Sequence, residues 1–351
     1  MDARTLLREM VEIYSPSGEE GEIGQYLVSV MGSMGMNAYL DDVGNAVGDV
    51  GQGHPHVMLL GHMDTVPGFI QVEERDSILY GRGSVDAKGP LAAFIIAVSR
   101  QMPVQRGRVT VVGAVDEEST TSLGAYRVVE DFNPDYAVIG EPSGWDSITL
   151  GYKGRLLVNY RLSRPVSHSA GQYESACEEA VAFWERLRRY TQEYNADKEG
   201  NFSTLHLSLR NISSSSDGLT QEVEQLLAFR IPFGVELADV EAFVTETAGD
   251  GTVAFSSQEV PYRAAKNTPV VRVFLHSIRD AGGRPTFKVK TGTSDMNVVG
   301  PVWNCPLVAY GPGDSTLDHT PQEHQDLKEY DKGIEVLTGA LGKLLQEEEL
   351  R

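Results

Sequence analysis

Apolar positions along the chain recur at two spacings, and the switches between them mark its elements. Residues 4–14 repeat at helical spacing until Ser15-Pro16-Ser17-Gly18 breaks the pattern, and 19–32 carry a second amphipathic stretch. A short strand over 37–40 and a turn over 41–45 precede Val57-Met-Leu-Leu60, an apolar run that stops at Gly61-His62-Met63-Asp64-Thr65-Val66-Pro67. Next comes Gly81-Arg-Gly-Ser-Val-Asp86-Ala-Lys-Gly89, and 88–99 reads as a helix with Pro90 in its first turn, where a missing N–H costs little. A second apolar strand, Val109 to Val115, stops at Asp116-Glu117-Glu118, and a third, Tyr136 to Ile139, stops at Gly140-Glu141-Pro142-Ser143. Each cluster of His, Asp or Glu falls where a hydrophobic run stops or a helix begins, the place where open α/β sheets put their ligands.

From Gly154 the order changes to strand 156–162, helix 175–194, strands 204–212 and 222–231, helix 238–247 and strand 253–259. This β-α-β-β-α-β order is that of a ferredoxin-like unit, inserted as about 110 residues into the first pattern. The expected organisation is therefore a catalytic domain of 1–153 and 267–351, split by a lid of 154–266. After the insertion come a helix over 270–281 and a strand over 286–289, which leads into Thr291-Gly292-Thr293-Ser294-Asp295-Met-Asn297. A strand over 307–310 then leads to a loop bearing His319, and an amphipathic helix over about 325–349 closes the chain. The fold class is α/β.

A length of 351 residues suits two domains better than one core, and 41% hydrophobic residues with 36 Gly and 16 Pro suit an ordinary globular protein with many turns. The dense apolar run Leu91 to Val98 is far too short to span a bilayer, and the first residues lack the basic end and apolar block of a signal peptide. A cytoplasmic location is expected. Cys177 and Cys305 are too few for a disulfide framework and are expected to be buried small apolar residues. A net charge of -20 argues against nucleic acid as a partner.

Imidazoles with several carboxylates form a ligand set for borderline divalent metals, above all Zn²⁺ or Co²⁺. His62, Asp86, Glu118, Glu141 and His319 satisfy the count for two ions sharing a bridging carboxylate, although one His and two acids would already hold a single zinc. Glu117, diverging from Glu118 on extended backbone, is the candidate general base. Asp64, two residues after His62, is placed to accept the imidazole's other N–H and fix its orientation. Lys153, Arg155, Arg161 and Arg164 form a basic run that reads either as a docking patch or as a solvated face. His54, His56, His206, His276 and His324 belong to no motif.

The motifs around His62, Asp86, Glu118 and Glu141, with the late His319, together resemble the metallopeptidase superfamily of acetylornithine deacetylase, succinyl-diaminopimelate desuccinylase and glutamate carboxypeptidase. The resemblance spans essentially the whole chain. It implies that Asp86 bridges two metal ions, with His62 and Glu141 on one and Glu118 and His319 on the other, and that a cis peptide follows Asp86. It also implies a homodimer and a lid histidine at the reacting carbonyl, for which His168 is the match. Asp86-Ala-Lys-Gly-Pro90, Gly151-Tyr-Lys-Gly154-Arg155 and Lys290-Thr-Gly-Thr-Ser-Asp-Met-Asn297 look most like the branch serving lysine and arginine biosynthesis. Those enzymes release lysine or ornithine from the γ-glutamyl terminus of a small acidic amino-group carrier protein. Arg230 matches an arginine that holds the product's carboxylate, with Asn211, Gly292 and Thr293 as further contacts. The alternatives left open are an N-acyl amino-acid deacylase, a dipeptidase, and a non-catalytic metal-stabilised binding protein; the last would be marked by a lost base or ligand.

Overall fold

In the computed structural model, which describes residues 2–168 and 173–346, the apolar run around Leu59 extends into a strand, His56–His62, every residue of which is buried. Gly107–Ala114 and Tyr136–Gly140 flank it in parallel, and Leu307–Ala309 lies parallel to the latter. Beyond Gly107–Ala114 the sheet continues antiparallel through Ala46–Gln52 to Asn37–Leu40, and Leu307–Ala309 meets Ser147–Tyr152 antiparallel on the other side. Strands covered on both faces read as continuous apolar runs, which is why the central ones were legible in the sequence.

Helix Lys88–Gln101 packs against this sheet, between Ala3–Glu12 and Leu327–Leu345. It comes down on a seam of glycines that are neighbours in register, with Gly61 opposite Gly113 on one side and Gly140 on the other. A Cβ on Gly140 would sit 2.8 Å from Phe94 Cε2, and one on Gly113 would sit 3.1 Å from Leu91 Cδ2. The missing side chains let the helix approach the strand ends closely.

The chain divides into two compact units. One takes the described residues of Met1–Gly151, Arg263–Val289 and Ser294–Arg351; the other takes Tyr152–Tyr262 with Lys290–Thr293, a short stretch that sequence order alone would leave with the first. In the second unit four antiparallel strands lie in the order His206–Ser216, Thr220–Ile231, Gly154–Pro165, Thr252–Glu259, with helices Ala176–Asn195 and Leu237–Thr247. That strand order with that connectivity is ferredoxin-like. A capping box between Ser175 and Glu178 starts the longer helix, and Phe183 on it stacks on Tyr160 with ring centroids 4.2 Å apart.

Among the elements that escape the sequence pattern are two strands and two helices. Ala46–Gln52 contains two glycines and an aspartate, and its ladder to Gly107–Ala114 holds it as a strand. Ser147–Tyr152 and Leu123–Asp131 are short, and Asp295–Trp303 contains Pro301 yet starts from a capping box of Ser294 and Asn297. Cys177 departs from expectation: it is exposed, because it falls on the solvent side of its helix between the buried Ala176 and Ala180, while Cys305 is half-buried. Among the described residues no helix is long and apolar enough to cross a membrane.

At the N-terminal edge of the parallel strands His56 is 6% exposed; its Nε2 lies 2.9 Å from Thr110 Oγ1, and its N–H donates to Asp135 at 2.7 Å. Burial, aided by the charge of Arg108, pushes its imidazole down to about 4. The unfolded chain binds this proton more readily, so His56 contributes its full stability above about pH 6.5 and loses it as pH falls towards 4. A shift of that size corresponds to roughly 3 kcal/mol at most. Urea unfolding at pH 7.5 and 4.5 should therefore show a smaller loss for His56→Gln than for the unaltered protein; equal losses would remove His56 from the acid response.

Candidate metal centre

Parallel pairing sets the site. The strands Gly107–Ala114, His56–His62, Tyr136–Gly140 and Leu307–Ala309 all run the same way, so their C-terminal ends share one edge. That edge delivers Glu117 and Glu118, His62, Glu141 and the loop bearing His319, while Asp86 arrives just before helix Lys88–Gln101. A cis peptide joins Asp86 to Ala87. All of these residues belong to the first unit.

Asp86 lies between the two histidines. Its Oδ1 is 3.4 Å from His62 Nε2 and its Oδ2 is 3.1 Å from His319 Nε2. His319 Nε2 is also 3.0 Å from Glu118 Oε1, and His62 Nε2 is 3.9 Å from Glu117 Oε2. Among the described residues, two sets bring their ligand atoms within 4.8 Å of one another: His62 with Glu117 and Glu118, and Asp86 with Glu118 and His319. Glu141 is buried at its strand end but belongs to neither set; its charge is felt by Glu117.

One expectation changes here. Glu117 and Glu118 do not diverge, because the backbone bends at Asp116, whose φ is 67°, and both carboxylates turn toward His62. Asp64 faces the imidazole as expected and also makes further bonds. His62 Nδ1 lies 3.0 Å from the Asp64 backbone carbonyl and 3.3 Å from its carboxylate. The carboxylate accepts the N–H groups of Glu117 at 3.1 Å and Glu118 at 3.0 Å, and the Ser17 hydroxyl at 2.7 Å. Asp64 thus holds the turn that carries both glutamates.

The electrostatics are those of a crowded acid cluster. Burial pushes the Glu117 carboxyl well above the usual carboxylate range; Glu141, Glu118 and Asp295 add to the shift and His62 opposes it. Glu118 is raised by burial and by Asp86, against the hydrogen bond from His319. Burial would raise Asp86 as well, but the flanking imidazoles of His319 and His62 hold it far below the usual range. His319 is pushed up to about 10 by Asp86 and Glu118. Burial works against protonation of His62, yet Glu117, Asp64 and Asp86 outweigh it and hold the imidazole well above its ordinary value. Buried acids in such excess call for cations, and His62 Nε2 is buried with no hydrogen-bond partner among the described residues. Imidazole nitrogen and carboxylate oxygen donors, with Asp86 offering one oxygen to each side, fit a pair of divalent ions.

Three further residues at this edge carry no role read from the sequence, although Asp295 and Lys88 lie within its motifs. Asp295 is buried, its Oδ1 without a partner among the described residues, and burial pushes it up to about 7, with His62 opposing and Asp64 adding to the shift. Lys88 is wholly buried, donates to the Ile13 carbonyl at 2.6 Å, and is pushed down to about 7 by burial. Glu323 accepts N–H groups from the Asp86 turn.

In the second unit Arg230 Nη1 donates to Thr293 Oγ1 at 3.1 Å, which brings two of the expected substrate residues together. The position of a Cβ on Gly292 meets open space, and Asn211 is exposed at a register shift in its strand. His168 is exposed, and 169–172 after it lie outside the described residues. The basic run is spent within the unit. Arg155 forks onto Glu259 with two bonds of 2.8 Å, Arg161 pairs with Glu224 at 3.0 Å, Arg164 pairs with Glu179 and Asp250, and Lys153 is buried and donates to the Thr204 carbonyl.

Comparison with known proteins supplies the family. The model of peptidase family M20/M25/M40 matches residues 58–343. A relative from Deinococcus radiodurans named [LysW]-lysine hydrolase is 44% identical over 351 residues, covering 98% of this chain and 97% of its own. The fold is similar to that of an M20 family metallo-carboxypeptidase from Sulfolobus solfataricus, with a TM-score of 0.81, 19% identity and coverage of 98% and 99% of the two chains. It is also similar to a dinuclear metal binding peptidase of the M20 family from Bacillus subtilis, with a TM-score of 0.68, 11% identity and 98% of each chain covered. With the match running from the central strand to the last helix, the chain belongs to peptidase family M20/M25/M40.

Proposed function

We propose that this protein is a metal-dependent amide hydrolase that releases lysine, or ornithine, from the γ-glutamyl terminus of an amino-group carrier protein in lysine and arginine biosynthesis. The observation that carries the hydrolase reading is Asp86 between two histidines, one oxygen toward each. The substrate follows from the full-length relative whose name is [LysW]-lysine hydrolase, LysW being read as the carrier. The residues that would hold the ions are His62 and Glu141 on one side, Glu118 and His319 on the other, and Asp86 between them. Bound there, two divalent ions, zinc with cobalt as a substitute, would activate a water and polarise the scissile carbonyl.

Glu117 takes the proton of the attacking water and later hands it to the leaving amine as the C–N bond breaks. Burial holds its carboxyl well above the usual carboxylate range. Asp64 keeps Glu117 on station through its backbone N–H, and keeps His62 turned through Nδ1. Arg230, fixed by Thr293, takes the carboxylate of the released amino acid, and His168 serves the reacting carbonyl oxygen. The second unit is read as a lid and dimerisation domain, and the protein as a cytoplasmic homodimer.

Glu117→Gln should keep its metal content and lose turnover by roughly 10²- to 10⁴-fold. Metal analysis beside steady-state kinetics decides this, and undiminished hydrolysis would take the proton away from Glu117. Dialysis against a chelator should abolish activity, and zinc or cobalt should restore it. Offered carrier-linked lysine and free Nα-acetyl-ornithine side by side, the reloaded enzyme should favour the carrier adduct in kcat/KM; a preference for the acetyl compound would make it a general deacylase.

A further inference from the structure

The turn that carries Asp86 and the loop that carries His319 are joined by a buried ion pair that supplies neither a metal ligand nor a proton. Arg82 is 7% exposed and Glu323 is 0% exposed. Arg82 Nη1 donates to Glu323 Oε2 at 2.6 Å. The other carboxylate oxygen, Oε1, accepts the backbone N–H of Val85 at 3.0 Å and that of Asp86 itself at 3.1 Å. Arg82 also reaches outward: Nη1 donates to the carbonyl of Thr320, next to His319, at 3.3 Å, and Nε donates to the carbonyl of Gly68 at 3.1 Å. The backbone closes the arrangement, with the N–H of Gly81 donating to the Glu323 carbonyl at 3.3 Å.

Residues 81–87 belong to no strand or helix, so side chains must set their position. Glu323 sits at the N–H of Asp86, the residue whose carboxylate faces both histidines. Arg82 ties the same carboxylate to the strand-end loop at Gly68 and to the His319 loop. The pair therefore spans two segments, 237 residues apart in sequence, whose ligand atoms stand 3.1 Å from each other. A buried carboxylate adjacent to Asp86 would repel it, and Arg82 offsets that charge while leaving Oε1 to the backbone. An apolar replacement of the pair could fill the space but could not hold the Val85 and Asp86 N–H groups.

We infer that Arg82 and Glu323 form a positioning pair that sets the separation of Asp86 from His319 and, through it, the affinity of the site for its metal ions. This rests on the metal-hydrolase reading and adds residues that neither ligate nor transfer protons. In Glu323→Gln the amide can still accept from the backbone, but its NH₂ meets the guanidinium donor to donor. Arg82→Lys keeps the charge and loses the fork that reaches Thr320 and Gly68.

The test uses the full chain, stripped of metal and titrated with cobalt, following the visible absorption of the bound ion against a competing chelator. Steady-state kinetics of the reloaded enzymes and melting of the metal-free proteins accompany it. Both variants should bind cobalt roughly 10- to 100-fold more weakly, and both should lower kcat with KM within about twofold of the unaltered enzyme, as expected for an interaction acting at the reacting centre. Lower melting temperatures with unchanged cobalt affinity and kcat would mean that the pair only supports the fold, and would overturn the inference. Should Glu323→Gln fail to fold, Arg82→Lys decides alone, by the same two outcomes. If the unaltered protein binds no cobalt, the metal reading falls and this inference with it; if it binds cobalt and the variants bind equally tightly, this inference alone falls.

Discussion

Everything at the site depends on four strands being forced to run the same way. Parallel neighbours share an edge at which all of them end, and whatever each sequence places just after its apolar run is gathered there. His62, the Glu117–Glu118 turn, Glu141 and the His319 loop come from segments far apart in the chain, yet no special loop is needed to bring them together. The antiparallel strands that border this core widen the sheet without contributing to that edge.

Gathering acids in this way has an electrostatic cost that the rest of the site is built around. Each buried carboxylate raises its neighbours, and the two histidines relieve only part of the repulsion. Asp64 relieves more of it locally by accepting two backbone N–H groups and a hydroxyl. The cluster is thus folded around charge it does not itself neutralise, and divalent cations are the natural complement.

How much of this was legible follows from the range over which each feature is written. The strand-end motifs are local, a few residues after an apolar run, and so His62, Asp86, Glu118 and His319 could be named together from sequence. The second unit's order could be read because its strands alternate and its helices are amphipathic at their own period. What could not be read depends on partners distant in the chain. Glu323 looks like any glutamate until the fold brings it to Asp86. The bend at Asp116 that turns Glu117 and Glu118 together comes from a single positive φ. Arg155, Arg161 and Arg164 looked like a basic surface because the acids that pair with them, Glu259, Glu224, Glu179 and Asp250, lie on later elements.

The glycine seam under helix Lys88–Gln101 links packing to chemistry in a way that residue class would hide. Gly61, Gly113 and Gly140 touch no reacting group, yet the room they leave sets the height at which Leu91 and Phe94 rest. That height is also the level of the turn bearing Asp86, because the turn runs directly into the same helix. One added methyl at the seam would therefore act as a wedge beneath the Asp86 carboxylate. A genetic screen for lost activity would return such core glycines alongside the residues of the candidate metal centre, although a survey of the site's contacts would pass them over.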